Sequence, residues 1–165
     1  MPVNRGVDFE HKFKEDWLRS FPNSLCYKIP NQMSGMRTIN NWADFLCFFG
    51  EKLYFIDCKA HSGASIPFDA MPQFERLNKL KNIPNMVTGF VVWLYDKDTV
   101  TFVPTYTVEK LKKDRKKSIN PKTIDRELYY IVEIPSKKLR TFMQSDYSVM
   151  RDVPDYLTYI SGDNK

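Results

Sequence analysis

The sequence predicts an α/β fold, with a central mixed sheet flanked by helices. Apolar residues recur at helical spacing in three separated segments. Shorter runs rich in Val, Ile, Phe and Tyr lie between them, bounded by Gly, Pro and Asn. The two kinds of segment alternate as α-β-β-β-α-β-β-α-β, an interleaving that places helices against a sheet. With 165 residues, 42% of them hydrophobic and 15% aromatic, the chain reads as one domain spanning 1–165 that buries a substantial core, which excludes disorder.

The first helix is expected over Asp8 to Phe21, where Phe9, Phe13, Trp17 and Phe21 fall every four residues on one stripe. Pro22-Asn23 ends it, and Glu10 lies beside the stripe at the edge of a core. Leu25–Ile29 is a short strand stopped by Pro30, and the polar, glycine-containing Asn31–Thr38 reads as a mobile loop. Two apolar runs follow, Trp42–Phe49 and Leu53–Cys58, joined across Gly50-Glu51 as a two-residue hairpin with Lys52 opening the second strand. Gln73–Leu80 carries Phe74, Leu77 and Leu80 on one helical face and ends before Pro84. Val87–Tyr95 and Thr99–Val103 form a second hairpin across Asp96-Lys97-Asp98. Thr105–Lys117 is a basic helix broken by Asn120-Pro121, and Leu128–Ile134 is the last expected strand before a weakly patterned tail.

Composition excludes several classes of protein. No stretch approaches the roughly 18–20 apolar residues of a membrane helix, and Met1 to Arg5 is not followed by an apolar signal core. Cys26, Cys47 and Cys58 lack metal-type spacing, so neither a disulfide framework nor a zinc ribbon is expected. The chain reads as soluble and cytoplasmic. Its net charge of +5 is unevenly placed: residues 1–109 carry 12 basic and 12 acidic side chains, residues 110–140 carry 11 against 4, and residues 141–165 carry 2 against 4. A basic stretch of that density suits a polyanion such as nucleic acid, although a charge run alone is more often a solvated face.

The first hairpin carries the chemistry. With Gly50 and Glu51 in the turn, Phe49 faces Lys52, Asp44 falls opposite Asp57, and Trp42 falls opposite Lys59. Side chains alternate along a strand, so Asp44, Asp57 and Lys59 share one face. Facing carboxylates repel, and both stand in otherwise apolar runs. A divalent cation compensates them naturally, since Mg²⁺ takes one or two protein carboxylates and completes its shell with water and phosphate oxygens. The simpler reading is structural: Asp-x-Lys is common at strand ends, and Lys59 or a backbone amide can satisfy Asp44 alone. In the same register Cys47 and Cys58 point to the opposite face, as small core residues.

Asp44 followed by Asp57-Cys58-Lys59 resembles the signature of the PD-(D/E)xK nucleases, which have a restriction-endonuclease-like core. Asn4-Arg5-Gly6-Val7-Asp8-Phe9-Glu10 is similar to the amino-terminal segment of RecU-type Holliday junction resolvases, and Ile66 to Gln73 resembles that family's segment after the Lys. Gly89–Trp93 followed by Thr101–Pro104 is similar to its next strand pair, so the resemblance runs in order from residue 4 to about 104. It implies Asp44 and Asp57 as metal ligands, the Cys58 carbonyl as a third, Lys59 beside the attacking water or the developing charge, Glu10 reaching in from the first helix, and Gln73 supporting from the second. It also implies Mg²⁺, with Mn²⁺ able to substitute, branched DNA as substrate, and a homodimer whose two sites cut two strands. Beside such a site, Lys110, Lys112, Lys113, Arg115, Lys116, Lys117 and Arg37 become candidate DNA contacts.

Three departures from the pattern matter. Ala43 stands at the signature's Pro position, and the second acid is Asp57 where RecU proteins carry Glu. Only Asn31 to about Asn41 fills the interval in which RecU proteins insert a junction-engaging stalk, which suits a short version of the kind a bacteriophage encodes. The rival readings are a restriction-type or flap-cutting nuclease of the same superfamily, a non-catalytic DNA-binding module of the same fold, and more distantly a peripheral protein on an anionic membrane. His61, two residues after Lys59, reads as a loop histidine.

Overall fold

The computed structural model describes residues 4–30, 32–34, 37–39 and 41–162, with the backbone alone at 32–34 and 37–39. Helix α1 (Arg5–Ser20) starts earlier than its apolar stripe because the Asn4 side chain accepts the Val7 N–H at 3.2 Å and caps the first turn. Strands β1 (Leu25–Lys28), β4 (Phe45–Phe49), β5 (Lys52–His61), β7 (Met86–Leu94), β8 (Thr99–Pro104) and β10 (Val132–Glu133) form a six-stranded sheet in the order β1-β4-β5-β7-β8-β10. The β5–β7 pair is parallel and the other neighbours are antiparallel, so the sheet is mixed as predicted. The parallel pair requires a crossover, which carries β6 (Ile66–Pro67) and helix α2 (Phe74–Lys79). Helix α3 (Thr105–Lys113) follows β8, and β9 (Ser118–Ile119) pairs with β6.

Helix α1 covers one face of the sheet. Its stripe packs in sequence, Phe9 on Trp93, Phe13 on Phe45, Trp17 on Tyr54 and Phe21 on Phe49, with ring centroids 5.6, 4.9, 5.2 and 4.2 Å apart. All four stripe residues are buried, and each burial stabilises by about 1.5–3 kcal/mol. Phe74, Leu77, Val108 and Leu111 of α2 and α3 bury against Phe90, Val92 and Val103 on the opposite face. Gly89 lies where β7 crosses closely over β8: an added Cβ would stand 2.6 Å from the Val103 carbonyl oxygen and 2.6 Å from the Phe102 ring. Replacing Gly89 by Ala is therefore expected to destabilise the protein by about 2–3 kcal/mol in urea denaturation, whereas an unchanged midpoint would show that the strands can separate there.

Several elements differ from the sequence expectation. The expected loop at 31–38 holds a small hairpin, β2 (Gln32–Ser34) on β3 (Arg37–Ile39), while residues 31, 35 and 36 lie outside those described. The β4 ladder begins at Phe45, not Trp42, because the Asp44 side chain accepts the Cys58 N–H at 2.9 Å and so ends the regular pairing. Helix α3 stops at Lys113, four residues short, since Arg115 takes a left-handed φ of 61° and turns the chain away. Of the strand expected over Leu128–Ile134, only Val132–Glu133 pairs. Asp125 folds the preceding residues into a turn, its side chain accepting Glu127 N–H and its carbonyl accepting Tyr129 N–H. The tail forms a hairpin, β11 (Ser136–Lys138) with β12 (Met143–Ser145), docked on α1 where the buried Asp16 accepts the Ser145 N–H at 2.8 Å. A short helix α4 (Tyr156–Ser161) follows. No described helix is long and apolar enough to cross a membrane.

Candidate active site

The turn chemistry sets the site. Gly50, at φ 63°, makes the tight turn, and Phe49 pairs with Lys52 and Phe45 with Ile56 as the sequence register requires. That register carries Asp57 and Lys59 onto the face packed by α2 and α3, beside Phe90 and Val92 of β7. Asp44 sits at the mouth of β4, just beyond the last paired residue. The acids therefore meet at one end of the sheet, where β4 enters and β5 leaves.

Asp57 is only 1% exposed, and Lys59 Nζ lies 3.0 Å from its Oδ2. The contact is an ion pair, and Lys59 is the one cation that faces this buried oxygen among the described residues. Burial foremost, and then the negative charge of Asp44, push the Asp57 carboxyl up to about 7, with Lys59 opposing them. Asp44 is better solvated; one oxygen accepts Cys58 N–H and the other lies 3.4 Å from Lys28 Nζ. Lys28 also contacts Glu10 Oε2 at 2.9 Å, so one ammonium group bridges the acid of α1 and the acid of β4. Burial pulls the Lys28 pKa down, but Glu10 and Asp44 together outweigh it and the net shift is upward.

The raised Asp57 pKa has a consequence for stability. The proton, which belongs to the Asp44–Asp57 pair, is held by the folded protein up to about pH 7, whereas an unfolded aspartate loses it near its ordinary 3.8. Without divalent metal, stability is expected to fall as pH rises from about 4 to 7, by up to about 1.4 kcal/mol per unit, and to level off above that for this group. Urea melts in chelator from pH 4.5 to 8 check this; a stability that rises across that window contradicts the assignment.

Among the described residues, no three His, Cys, Asp or Glu side chains converge as a complete ligand set. Two adjacent carboxylates do converge, one of them buried, and the single Lys59 ion pair does not outweigh its burial and the charge of Asp44. That donor chemistry fits a hard divalent cation taking two carboxylates from the protein and its remaining ligands from water and phosphate.

The other expected site residues fall out variously. Glu10 is 24% exposed and reaches the acids through Lys28. Gln73 precedes α2, with its Oε1 buried and without a hydrogen-bond partner among the described residues. The Cys58 side chain packs in the α1-side core with Cys26 and Cys47, opposite the acids, while its amide holds Asp44. His61 is engaged locally, with Nδ1 2.7 Å from Ser62 O.

The basic stretch is divided. Lys110 is tied to Leu128 O at 2.6 Å, Lys112 lies 4.3 Å from the centre of the Phe74 ring, and Lys113 pairs with Glu109 at 3.2 Å. Arg115, Lys116 and Lys117 are exposed, and Lys117 leads directly into β9. Because β9 pairs with β6, which starts five residues after His61, the end of the stretch returns to the site end of the sheet. Arg37 lies in β3, and its side chain is outside those described.

Lys28 is a side chain of the candidate site that sequence reasoning missed. A lysine just before Ile29-Pro30 carries no motif, and only the pairing of β1 with β4, Lys28 beside Phe45, brings it to Asp44.

No family model matches the chain, and no curated protein resembles it in sequence at a significant level. Among solved structures it is similar to Archaeoglobus fulgidus Hjc, a Holliday junction resolvase from an archaeal hyperthermophile, with a TM-score of 0.52 and 14% identity. The superposition covers 71% of this chain and 89% of that one. The six-stranded mixed sheet with its flanking helices thus shares the fold of that archaeal protein.

Proposed function

We propose that this protein is a metal-dependent endonuclease that resolves branched DNA, with the four-way Holliday junction as its leading substrate. The observation that carries the reading is the buried Asp57 beside Asp44 and Lys59, at the end of a sheet whose fold matches a Holliday junction resolvase. Within that fold, the RecU-like order of segments from Asn4 to Pro104 favours the RecU branch, and the short β2–β3 hairpin in the stalk interval suits a bacteriophage version acting in the host cytoplasm.

Asp44 and Asp57 would hold Mg²⁺, or Mn²⁺ in its place, with the Cys58 carbonyl as a further ligand and Glu10 bound directly or through water. A bound ion supplies hydroxide near neutral pH and neutralises charge on the transferring phosphate. The protein's own groups do the rest. Lys59, fixed 3.0 Å from Asp57, is placed to orient the attacking water or to stabilise the developing phosphorane charge. Gln73, with a buried carbonyl oxygen that lacks a donor, supports the site from α2. Arg115, Lys116 and Lys117, with Arg37 and the more engaged Lys110, Lys112 and Lys113, provide phosphate contacts.

Symmetric cutting of two strands calls for two sites, and a twofold dimer supplies them. One surface suits it. Helices α2 and α3 pack on β7 and β8, leaving the outer face of β1 and β4 uncovered, and there Leu25, Tyr27 and Phe48 are 51%, 51% and 46% exposed.

The test compares an immobile four-way junction, a flap and a linear duplex as substrates with Mg²⁺. Preferential, paired incisions in the junction are expected. Preference for the flap or for the linear duplex would move the protein to another nuclease class of the same fold.

A further inference from the structure

On the α1 side of the sheet, the face opposite Asp57 and Lys59, lies a cavity of about 300 Å³ lined by Arg5, Trp93, Tyr95, Arg140 and Phe142 and by two carboxylates that are already engaged, Asp96 with Gly63 N–H at 2.7 Å and Asp98 with Lys138. We infer that it is a pocket for one unpaired nucleotide of the DNA substrate, an inference that rests on the branched-DNA reading and specifies which feature of the branch is grasped.

Its position follows from the strand register. Trp93 is the β7 partner of Ala60, the residue after Lys59, so the cavity lies toward the same strand end as the acids and on the other face of the sheet. Arg5 lies five residues before Glu10 on α1, about 7.5 Å along its axis and about 140° around it. The tail hairpin closes the outer side. Asp16 anchors β12 to α1, Lys138 pairs with Asp98 at 2.8 Å, and the turn between them presents Arg140 and Phe142.

The lining has mixed chemistry. The Arg5 guanidinium sits 4.4 Å from the centre of the Tyr95 ring, and the Trp93 and Tyr95 rings meet edge-on at 5.7 Å. Phe142, 39% exposed at the rim, is approached by Lys12 at 5.3 Å. Trp93 is 5% exposed, yet its indole N–H has no acceptor among the described residues. A buried donor left unpaired beside a cavity is unusual in a native protein and calls for an acceptor. Arg140 is exposed and makes no ion pair among the described residues. Cations alone on a flat surface would suit duplex phosphates. Cations combined with recessed ring surfaces and a lone donor suit a base out of its stack, carrying its own phosphate and hydrogen-bond acceptors. A base inside linear duplex is held by pairing and by stacking on both sides, whereas the pairs at a branch point have interrupted stacking and open at lower cost.

The experiment uses the full chain in the absence of divalent metal. Binding is measured for the wild type and for an Arg140→Ala/Phe142→Ala double variant, both substitutions being at exposed positions. The ligands are a four-way junction, a short oligothymidylate and a linear duplex of the junction's arm sequence. The double variant is expected to lose about tenfold or more in affinity for the junction and oligothymidylate, and less than about twofold for the linear duplex. Equal losses on all three ligands would reduce the cavity to a general phosphate contact, and unchanged binding would remove it from DNA recognition; either overturns the inference. A parallel Mg²⁺ assay separates it from the nuclease reading: if the wild type cuts none of these DNAs, that reading fails, while the oligothymidylate arm still decides for or against the pocket.

Discussion

Replacing Asp57 by Asn is expected to abolish junction cleavage, lowering its rate at least about 10³-fold, while binding of the junction persists. The substitution keeps the shape of the side chain and removes only its charge. The carboxylate is 1% exposed and faces Asp44, and its pairing with Lys59 does not offset these two penalties, so ionising it is unfavourable unless a further cation is present. The same variant should therefore be more stable than the wild type in chelator near neutral pH, by about 1–3 kcal/mol, because it relieves an under-compensated buried charge. It should also lose the fall in stability between about pH 4 and 7. A variant that is both inactive and destabilised would instead place Asp57 in a purely structural network.

Replacing Lys59 by Met should lower cleavage about 10²- to 10³-fold with the fold retained. Lys59 is partly exposed at 20%, its aliphatic stem is reproduced by Met, and among the described residues its ammonium pairs with Asp57 alone. Lysine also opposes the upward push on Asp57. Without it the carboxyl holds its proton to higher pH, so the residual activity should rise with pH to a midpoint above the wild type's. A pH–rate profile of the variant separates this from a simple loss of DNA binding, which would lower affinity at every pH and leave the midpoint in place.

The parts of this molecule legible in the sequence are those governed by local rules. The Phe9-Phe13-Trp17-Phe21 stripe settles the first helix and its buried face. Gly50-Glu51 settles the register of the first hairpin, and with it the face shared by Asp57 and Lys59. What the sequence did not reveal depends on chain neighbours far apart. Lys28 becomes part of the site only because β1 lies beside β4 and α1 delivers Glu10 to the same point. Trp93 and Tyr95 read as ordinary core aromatics, since nothing in their strand indicates that Arg5 and a tail hairpin some 45 residues later enclose a cavity around them. Leu128–Ile134 has strand-like composition, but Asp125 ties the backbone into a turn that competes with pairing and wins over most of its length.

The proposed nuclease site is tested most directly by incubating the wild-type chain with an immobile four-way junction, with and without Mg²⁺, and resolving the products on a denaturing gel. Paired incisions near the branch point that appear only with Mg²⁺, and that vanish in the Asp57→Asn variant, are the predicted result. An intact junction in the presence of Mg²⁺ and Mn²⁺, or cleavage that persists undiminished when Asp57 is replaced, would contradict it.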